Sequence, residues 1–366
     1  MKLLVDASFH TGIRVGIARY IECLVQELSL LCNITVLTSV PDIFSGVNCN
    51  IITIPRWTRS QRGRLLWQLT QLKNHCTTDY DLLFCTTPVA PPACPIPVIS
   101  VVHDLTPLIQ NRLHNSKYKT SFLIGLKSIK WADYVVTDSV YTKQQIIRKH
   151  FYPAEKIKVV YLGPGVYEMY QNCNLGLHLQ PYILYVGGHI PTKNVTRLVN
   201  AFALLNRQPR LKLVLTGWGN PDQIGTTLTT IDKAGVNERV VILPEISDRE
   251  LSSLYHHCSL FAFPSLCEGF GLPVLEAMLH GAAIACSYSS SLPEIAGSAA
   301  VYFDATSIGG IRQALELLLD NPGLRQKLSQ AAQKRARIFS WKKAALEILK
   351  LAEQVILNRS QARIKC

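Results

Sequence analysis

The sequence predicts an α/β protein built from two doubly wound, Rossmann-like domains. Three observations predict it. The chain has 366 residues, a length that suits two domains better than one. Short β-branched, apolar runs alternate with amphipathic segments along nearly the whole chain, the pattern of parallel sheets with crossover helices. A stretch from Gly163-Pro164-Gly165 to Pro181 carries Gly, Pro, Asn and Gln without periodicity and reads as a linker.

In the first domain, residues 1–165, strands are expected at Lys2–Asp6, Ile34–Thr38, Ile51–Ile54, Leu82–Cys85, Val98–Val102, Tyr134–Thr137 and Lys158–Tyr161. Helices are expected at Gly16–Leu31, Arg64–His75, Lys117–Trp131 and Thr142–Phe151. In the second domain, residues 166–340, the strands are Tyr182–Val186, Leu211–Leu215, Val240–Leu243, Leu260–Phe263, Ala283–Ala285 and Val301–Phe303. Its helices are Asn194–Asn206, Asp248–His257, Leu272–Gly281, Ile308–Asp320 and Pro322–Arg337. Residues 341–366 open on a long amphipathic helix, Trp341–Asn358.

Composition narrows the class. Hydrophobic residues make up 48% of the chain, enough for full cores, and no apolar run approaches a membrane span of ~18 residues. Asp6 interrupts the first apolar run, which reads as a strand and not as a secretion signal, so a cytoplasmic location is expected. The 11 cysteines include no Cys-x-x-Cys and read as reduced thiols, with no structural metal. Cys267, beside Glu268, reads as a small buried hydrophobe. The net charge is +13, with 18 basic and 10 acidic side chains in residues 1–165 and 20 and 15 in the remainder. Such an excess suits an anionic partner. The charges are dispersed and no nucleic-acid-binding signature accompanies them, so nucleic acid is not expected.

The most informative stretch is Pro264-Ser-Leu-Cys-Glu268-Gly269-Phe270-Gly271-Leu272-Pro273-Val-Leu-Glu276. It reads as strand, Gly-containing turn and helix, with Pro273 in the first turn, where its missing N–H is harmless. Free N–H groups around Gly269, Phe270, Gly271 and Leu272, backed by the helix dipole, form an anion site. Side chains lean toward the helix N-terminus, so Glu276 reaches back toward a ligand that Glu268 meets from the turn. Phosphate on N–H groups and hydroxyls on two carboxylates suit a sugar nucleotide. The alternative is an ordinary strand–turn–helix with solvated glutamates.

This segment resembles the E-x7-E signature of retaining GT-B glycosyltransferases, specifically glycosyltransferase family 4, and the resemblance runs along nearly the whole chain. It implies two domains facing across a cleft, with the last helix crossing back onto the first. In Tyr182–Asn194, the resemblance implies that the Gly187-Gly188 turn lines the donor site. It gives Lys193 the role of neutralising a departing diphosphate; a solvated loop lysine is the alternative. An Arg common near the position of Gly188 or His189 is absent, as is a second basic residue after the next strand, where Thr216-Gly217-Trp218-Gly219 stands. Backbone near Glu245 and Ile246 is implied to line the nucleobase pocket, while Ser247, with Glu250, reads as a helix capping box.

In the first domain, His103-Asp104 ends an apolar strand and matches the family's His-Asp pair. The resemblance implies that His103 hydrogen-bonds the donor sugar; a structural histidine is the alternative. Gly16, opening the first helix, is a candidate for close backbone contact with donor or acceptor, or simply a helix-start turn. The basic, aromatic run Arg56–Trp67 suits either a peripheral membrane or lipid-diphosphate acceptor surface, or a solvated helix start.

The expectation is a retaining, metal-independent hexosyltransferase without a cofactor, with GDP-mannose the favoured donor. Its acceptor would be a glycan or lipid-linked saccharide of polysaccharide or O-antigen assembly. Two readings stay open beside it: a sugar-nucleotide 2-epimerase of the same architecture, and a non-catalytic, sugar-nucleotide-binding partner of another transferase.

Overall fold

The computed structural model describes residues 1–13, 16–110, 116–166, 173–205, 210–243 and 246–364. The chain forms two compact units, residues 1–165 with 340–366, and residues 166–339.

The first unit holds seven parallel strands: β1 (Lys2–Asp6), β2 (Asn33–Thr38), β3 (Asn50–Thr53), β4 (Leu82–Cys85), β5 (Val98–Val102), β6 (Tyr134–Thr137) and β7 (Ile157–Val159). Their order across the sheet is β3-β2-β1-β4-β5-β6-β7. The second unit holds β8 (Tyr182–Val186), β9 (Lys212–Thr216), β10 (Val240–Leu243), β11 (Leu260–Phe263), β12 (Ile284–Ser287) and β13 (Ala300–Phe303), in the order β10-β9-β8-β11-β12-β13. Both sheets are wholly parallel. A parallel sheet is covered on both faces by its crossover helices, so its strands are apolar throughout. The central strands β4, β5, β11 and β12 are accordingly buried at every position.

Each sheet winds outward from its middle in both directions. The order reverses between β1 and β4 in one unit and between β8 and β11 in the other. Such switch points open crevices at the carboxyl ends of the strands, where ligands of these folds bind.

Strand placement agrees with expectation to within one or two residues. The helices differ more. Pro221–Lys233, not expected from the sequence, is a helix started by a capping box between Asn220 and Gln223. Its run of threonines has weak helix propensity and hides the apolar spacing of Ile224, Leu228 and Ile231. The end of the expected linker is also structured: Leu175–Leu179 is helical, and the Gly176 N–H donates to Ser253 Oγ at 3.1 Å. The expected helix at Arg64–His75 is instead Gln61–Thr70 followed by a 3-10 turn, Leu72–His75.

The C-terminal helix, Trp341–Ile364, lies in the first unit against helix Gly16–Ser29. Trp341 is buried, donates from Nε1 to the Pro164 carbonyl at 2.8 Å, and packs edge-on against Tyr20 at 5.7 Å. Farther along, the Arg359 guanidinium bonds the carbonyls of Cys94 and Ile96 and the Asp133 carboxylate. The helix therefore runs past Asn358 through a polar stretch that periodicity alone reads as its end. Gly163 sits so near Trp341 that a Cβ would overlap both the indole ring and its backbone nitrogen. Gly163→Ala is expected to destabilise the protein by about 1–3 kcal/mol, read as a fall in denaturation midpoint by urea titration.

Candidate active site

In the second unit the site grows from the switch point. After β8 the chain turns through Gly187 and Gly188. The Gly187 N–H donates to the Thr216 carbonyl at 2.9 Å and the His189 N–H to the Trp218 carbonyl at 3.0 Å, fastening this turn to the one after β9. Gly217 holds a φ of +139°, and any Cβ there would overlap the Gly187 carbonyl. Only glycine meets both demands. The Tyr185 hydroxyl donates to the Gly188 carbonyl at 2.9 Å, and the Glu268 charge adds to burial in raising its pKa.

A 3-10 turn, Pro191–Lys193, then leads to Asn194 in the left-handed region, at φ 62°. Asparagine tolerates that conformation better than most residues, and its amide donates to the carbonyls of Pro264 and Ala305. The Leu266 N–H in turn donates to the Thr192 carbonyl at 2.8 Å. These bonds stitch the loop after β8 to the loop after β11. As a result Lys193 Nζ lies 2.7 and 2.9 Å from the two carboxylate oxygens of Glu268. The lysine side chain is 22% exposed and the glutamate 11%.

Three serines after β12 hold the Glu268 loop. The Glu268 N–H donates to Ser290 Oγ at 2.8 Å, Ser291 Oγ donates to the carbonyls of Glu268 and Phe270, and Ser289 Oγ donates to that of Leu266. Gly271 follows at φ +102°, where a Cβ would run into Leu292, and caps helix Leu272–Leu279. The Val274 and Leu275 N–H groups both return to the Gly271 carbonyl, so the Leu272 N–H has no intrahelical acceptor. One turn in, Glu276 is buried and accepts a hydrogen bond from the Tyr255 hydroxyl at 2.8 Å. Tyr255 stacks on His280. Ile246 is half-buried ahead of the Ser247–Glu250 capping box; Pro244 and Glu245 lie outside the described residues.

His189 stands where the resemblance led one to look for an arginine. Its Nδ1 is 3.0 Å from Thr227 Oγ1, its Nε2 is buried without a hydrogen-bond partner among the described residues, and burial lowers its pKa. It is a neutral side chain at neutral pH and does not replace the missing cation.

The first unit gathers a polar cluster at the carboxyl ends of its central strands. Asp6 accepts from Gln68 Nε2 at 2.6 Å and from the Ser8 N–H at 3.0 Å. His10 is fully buried, with Nε2 2.7 Å from Glu22. His103 follows β5, but its ring is not open to solvent: Nδ1 is 2.6 Å from Asp138 Oδ2 and Nε2 is 2.9 Å from the Thr86 carbonyl. A sugar hydroxyl would have to displace one of these partners. Gly16 begins its helix with no heavy atom of the described residues within 4 Å of where a Cβ would stand, so no packing among them demands glycine there.

The Arg56–Trp67 stretch divides by role. Trp67 is fully buried, Arg64 lies over the Phe9 ring, and Arg59 bonds the Ser39 carbonyl. Arg56, Trp57, Arg62 and Leu66 are exposed. Arg62 also lines a pocket of about 250 Å³ with Ser116, Thr120 and Ser121.

Sequence reasoning missed Tyr255, Asp138 and the Ser289–Ser291 run. Asp138 had a legible signal, since Thr137-Asp138-Ser139 ends β6 as His103-Asp104 ends β5. The serine run had none, because hydroxyls that bond a distant loop look like any polar turn.

Comparison with known proteins settles the family. Residues 15–164 match the family described as Glycosyltransferase Family 4, and residues 175–335 match Glycosyl transferases group 1. The chain belongs to the family 4 glycosyltransferases. It is similar to O-antigen chain mannosyltransferase B of Escherichia coli, with 30% identity over 240 residues, 61% of each chain. It also resembles the serotype-specific mannosyltransferase WbdA of Escherichia coli, at 29% over 273 residues, which is 70% of this chain and 34% of that one. The match thus spans under two thirds of these curated relatives. Among solved structures, the Anabaena protein HepE in complex with UDP and glucose superposes with a TM-score of 0.78 at 17% identity, covering 97% of this chain and 100% of that one. The shared fold is GT-B, two Rossmann-like units. Among the described residues no helix is long and apolar enough to cross a membrane.

Tyr255→Phe removes the hydroxyl from a buried carboxylate. It is expected to lower stability by roughly 1–3 kcal/mol, measured by chemical denaturation in the absence of ligand.

Proposed function

We propose that this protein is a retaining glycosyltransferase that moves a hexose, with mannose favoured, from a nucleoside-diphosphate sugar to a glycan or lipid-linked acceptor. One observation carries the reading: Lys193 and Glu268, 75 residues apart, form an ion pair at the switch point of the second sheet. The two similar Escherichia coli proteins, both named mannosyltransferases, support mannose, and GDP-mannose is the donor we favour. A role in polysaccharide or O-antigen assembly follows the same names.

In this reading Lys193 leaves Glu268 for the donor's diphosphate. Lys193 and the N–H groups at the start of helix Leu272–Leu279 carry the phosphates, and no metal is required to neutralise them. Glu268, released from the ion pair, holds sugar hydroxyls and opposes the positive charge that develops at the reacting carbon. Glu276, oriented by Tyr255, binds the ribose diol. His103 donates to a sugar hydroxyl once the Thr86 carbonyl is released. The departing diphosphate takes the acceptor proton in a front-face displacement.

Glu268→Gln keeps the shape but loses the charge. Turnover is expected to fall by roughly 100-fold or more with donor KM little changed. Glu276→Ala is expected to raise donor KM by about tenfold or more while kcat changes less. Steady-state transfer and donor-hydrolysis assays read both, and unchanged kinetics in either variant rejects that residue's role. Thermal stabilisation by GDP-mannose, UDP-glucose, UDP-galactose, UDP-GlcNAc, GDP and UDP, with EDTA present, identifies the base. Selective stabilisation by guanine nucleotides in EDTA is the expected result.

For the acceptor side, we infer peripheral contact with an anionic membrane surface. Trp57 and Leu66 are 44% and 58% exposed, beside the exposed Arg56 and Arg62, a combination suited to a lipid interface. The pocket at Arg62, lined also by Ser116, Thr120 and Ser121, gives a lipid-borne phosphate a cation and polar walls. Arg56→Ala/Arg62→Ala is expected to reduce co-sedimentation with anionic liposomes; equal pelleting of the variant and the unaltered protein removes the idea.

A further inference from the structure

The His103 imidazole is clamped from both sides. Nε2 lies 2.9 Å from the Thr86 carbonyl oxygen and Nδ1 lies 2.6 Å from Asp138 Oδ2. A carbonyl oxygen only accepts, so Nε2 carries a hydrogen. The short contact at Nδ1 also needs a proton, because a bare ring nitrogen facing a bare carboxylate would set two acceptors against each other. The pair therefore holds two protons, one on Nε2 and one in the Nδ1–Asp138 contact, where the imidazolium and carboxylate charges compensate each other.

Its surroundings favour keeping both. The pair is closed in by Tyr20, whose ring packs edge-on against His103 at 4.6 Å and is itself covered by Trp341. The other titratable groups facing it are Asp104, next in the chain, and the Tyr20 hydroxyl. Burial by itself would lower the His103 pKa, but the Asp138 charge and the bonds to Asp138 and Thr86 outweigh it, and the net shift is upward. Burial raises the Asp138 pKa as well, against the pull of His103. Asp138 Oδ1 and the Tyr20 hydroxyl have no hydrogen-bond partner among the described residues.

We propose that Asp138 is a positioning residue for the transfer reaction: it keeps His103 doubly protonated, so that Nε2 meets the transferred sugar as a positively charged hydrogen-bond donor and never as a base. This rests on the function proposed above and adds to it a residue and a protonation state. No covalent step occurs at the pair, and both protons stay on it through the reaction.

The sign follows from the raised pKa. The short Nδ1–Asp138 contact holds the second proton, and the doubly protonated form is lost as pH rises through the raised value, so turnover falls on the alkaline side. Asp138→Asn leaves a side chain of the same shape that can still donate to Nδ1 but carries no charge. Burial then prevails and His103 loses its second proton at lower pH. The alkaline limb of the kcat profile is expected to move toward acid, and kcat to fall roughly tenfold or more at neutral pH, with donor KM changing less.

The direct test is nitrogen NMR of the full chain labelled with 15N-histidine, without ligand, with His103 assigned by its disappearance in His103→Gln. Both ring nitrogens are expected as N–H at neutral pH, and in Asp138→Asn Nδ1 is expected as a bare nitrogen at the same pH. A bare nitrogen in the unaltered protein at neutral pH overturns the proposal without need of any variant. So does a folded Asp138→Asn protein with unchanged kcat and pH profile. Absence of sugar transfer by the unaltered protein, with both nitrogens protonated, overturns the transferase reading and leaves the pair's protonation established.

Discussion

Parallel strand direction is the constraint on which the rest of this structure depends. Because every strand in each sheet runs the same way, all the carboxyl ends share one edge, and every turn that follows a strand opens there. Reversal of the winding between β8 and β11 sets two of those turns side by side without a crossover helix between them. The loops bearing Lys193 and Glu268 are those two turns, and their ion pair is a product of topology before it is a product of charge.

Topology alone would leave both loops loose. The Asn194 side-chain amide, backbone bonds from Leu266 and His189, and bonds made by the hydroxyls of Ser289, Ser290 and Ser291 fix them to each other and to the next strands. Bonds from side chain to backbone leave the charged groups free of structural duty. Lys193 and Glu268 then satisfy each other in the free protein, which keeps a mostly buried carboxylate from standing unpaired. In the function proposed above, sugar hydroxyls take the lysine's place on Glu268 when the pair opens, so the buried carboxylate keeps hydrogen-bond partners.

The first unit uses the same edge differently. Its strand ends carry Asp6, His103 and Asp138 in a buried polar cluster in which each charged or ionisable group has a specific partner. Tyr20 and Trp341 close this cluster from the helix side. The indole also binds the Pro164 carbonyl, where the chain is about to leave the unit, so the residue that seals the cluster is the one that anchors the returning helix.

The sequence by itself determined the strands, because burial on both faces demands unbroken apolar runs and those are visible one residue at a time. It also determined the Glu268–Glu276 motif and the Gly187-Gly188 turn, where local backbone geometry dictates the residue types. Helix Pro221–Lys233 escaped because its capping box outweighs a threonine-rich composition that argues against a helix. Only the tertiary structure decided which partners the charged groups take. Lys193 with Glu268, Tyr255 with Glu276 and Asp138 with His103 are separated by 75, 21 and 35 residues. Hydrogen bonds and ion pairs act through space over about 3 Å, and no one-dimensional pattern encodes which distant loop the sheet will bring within that reach.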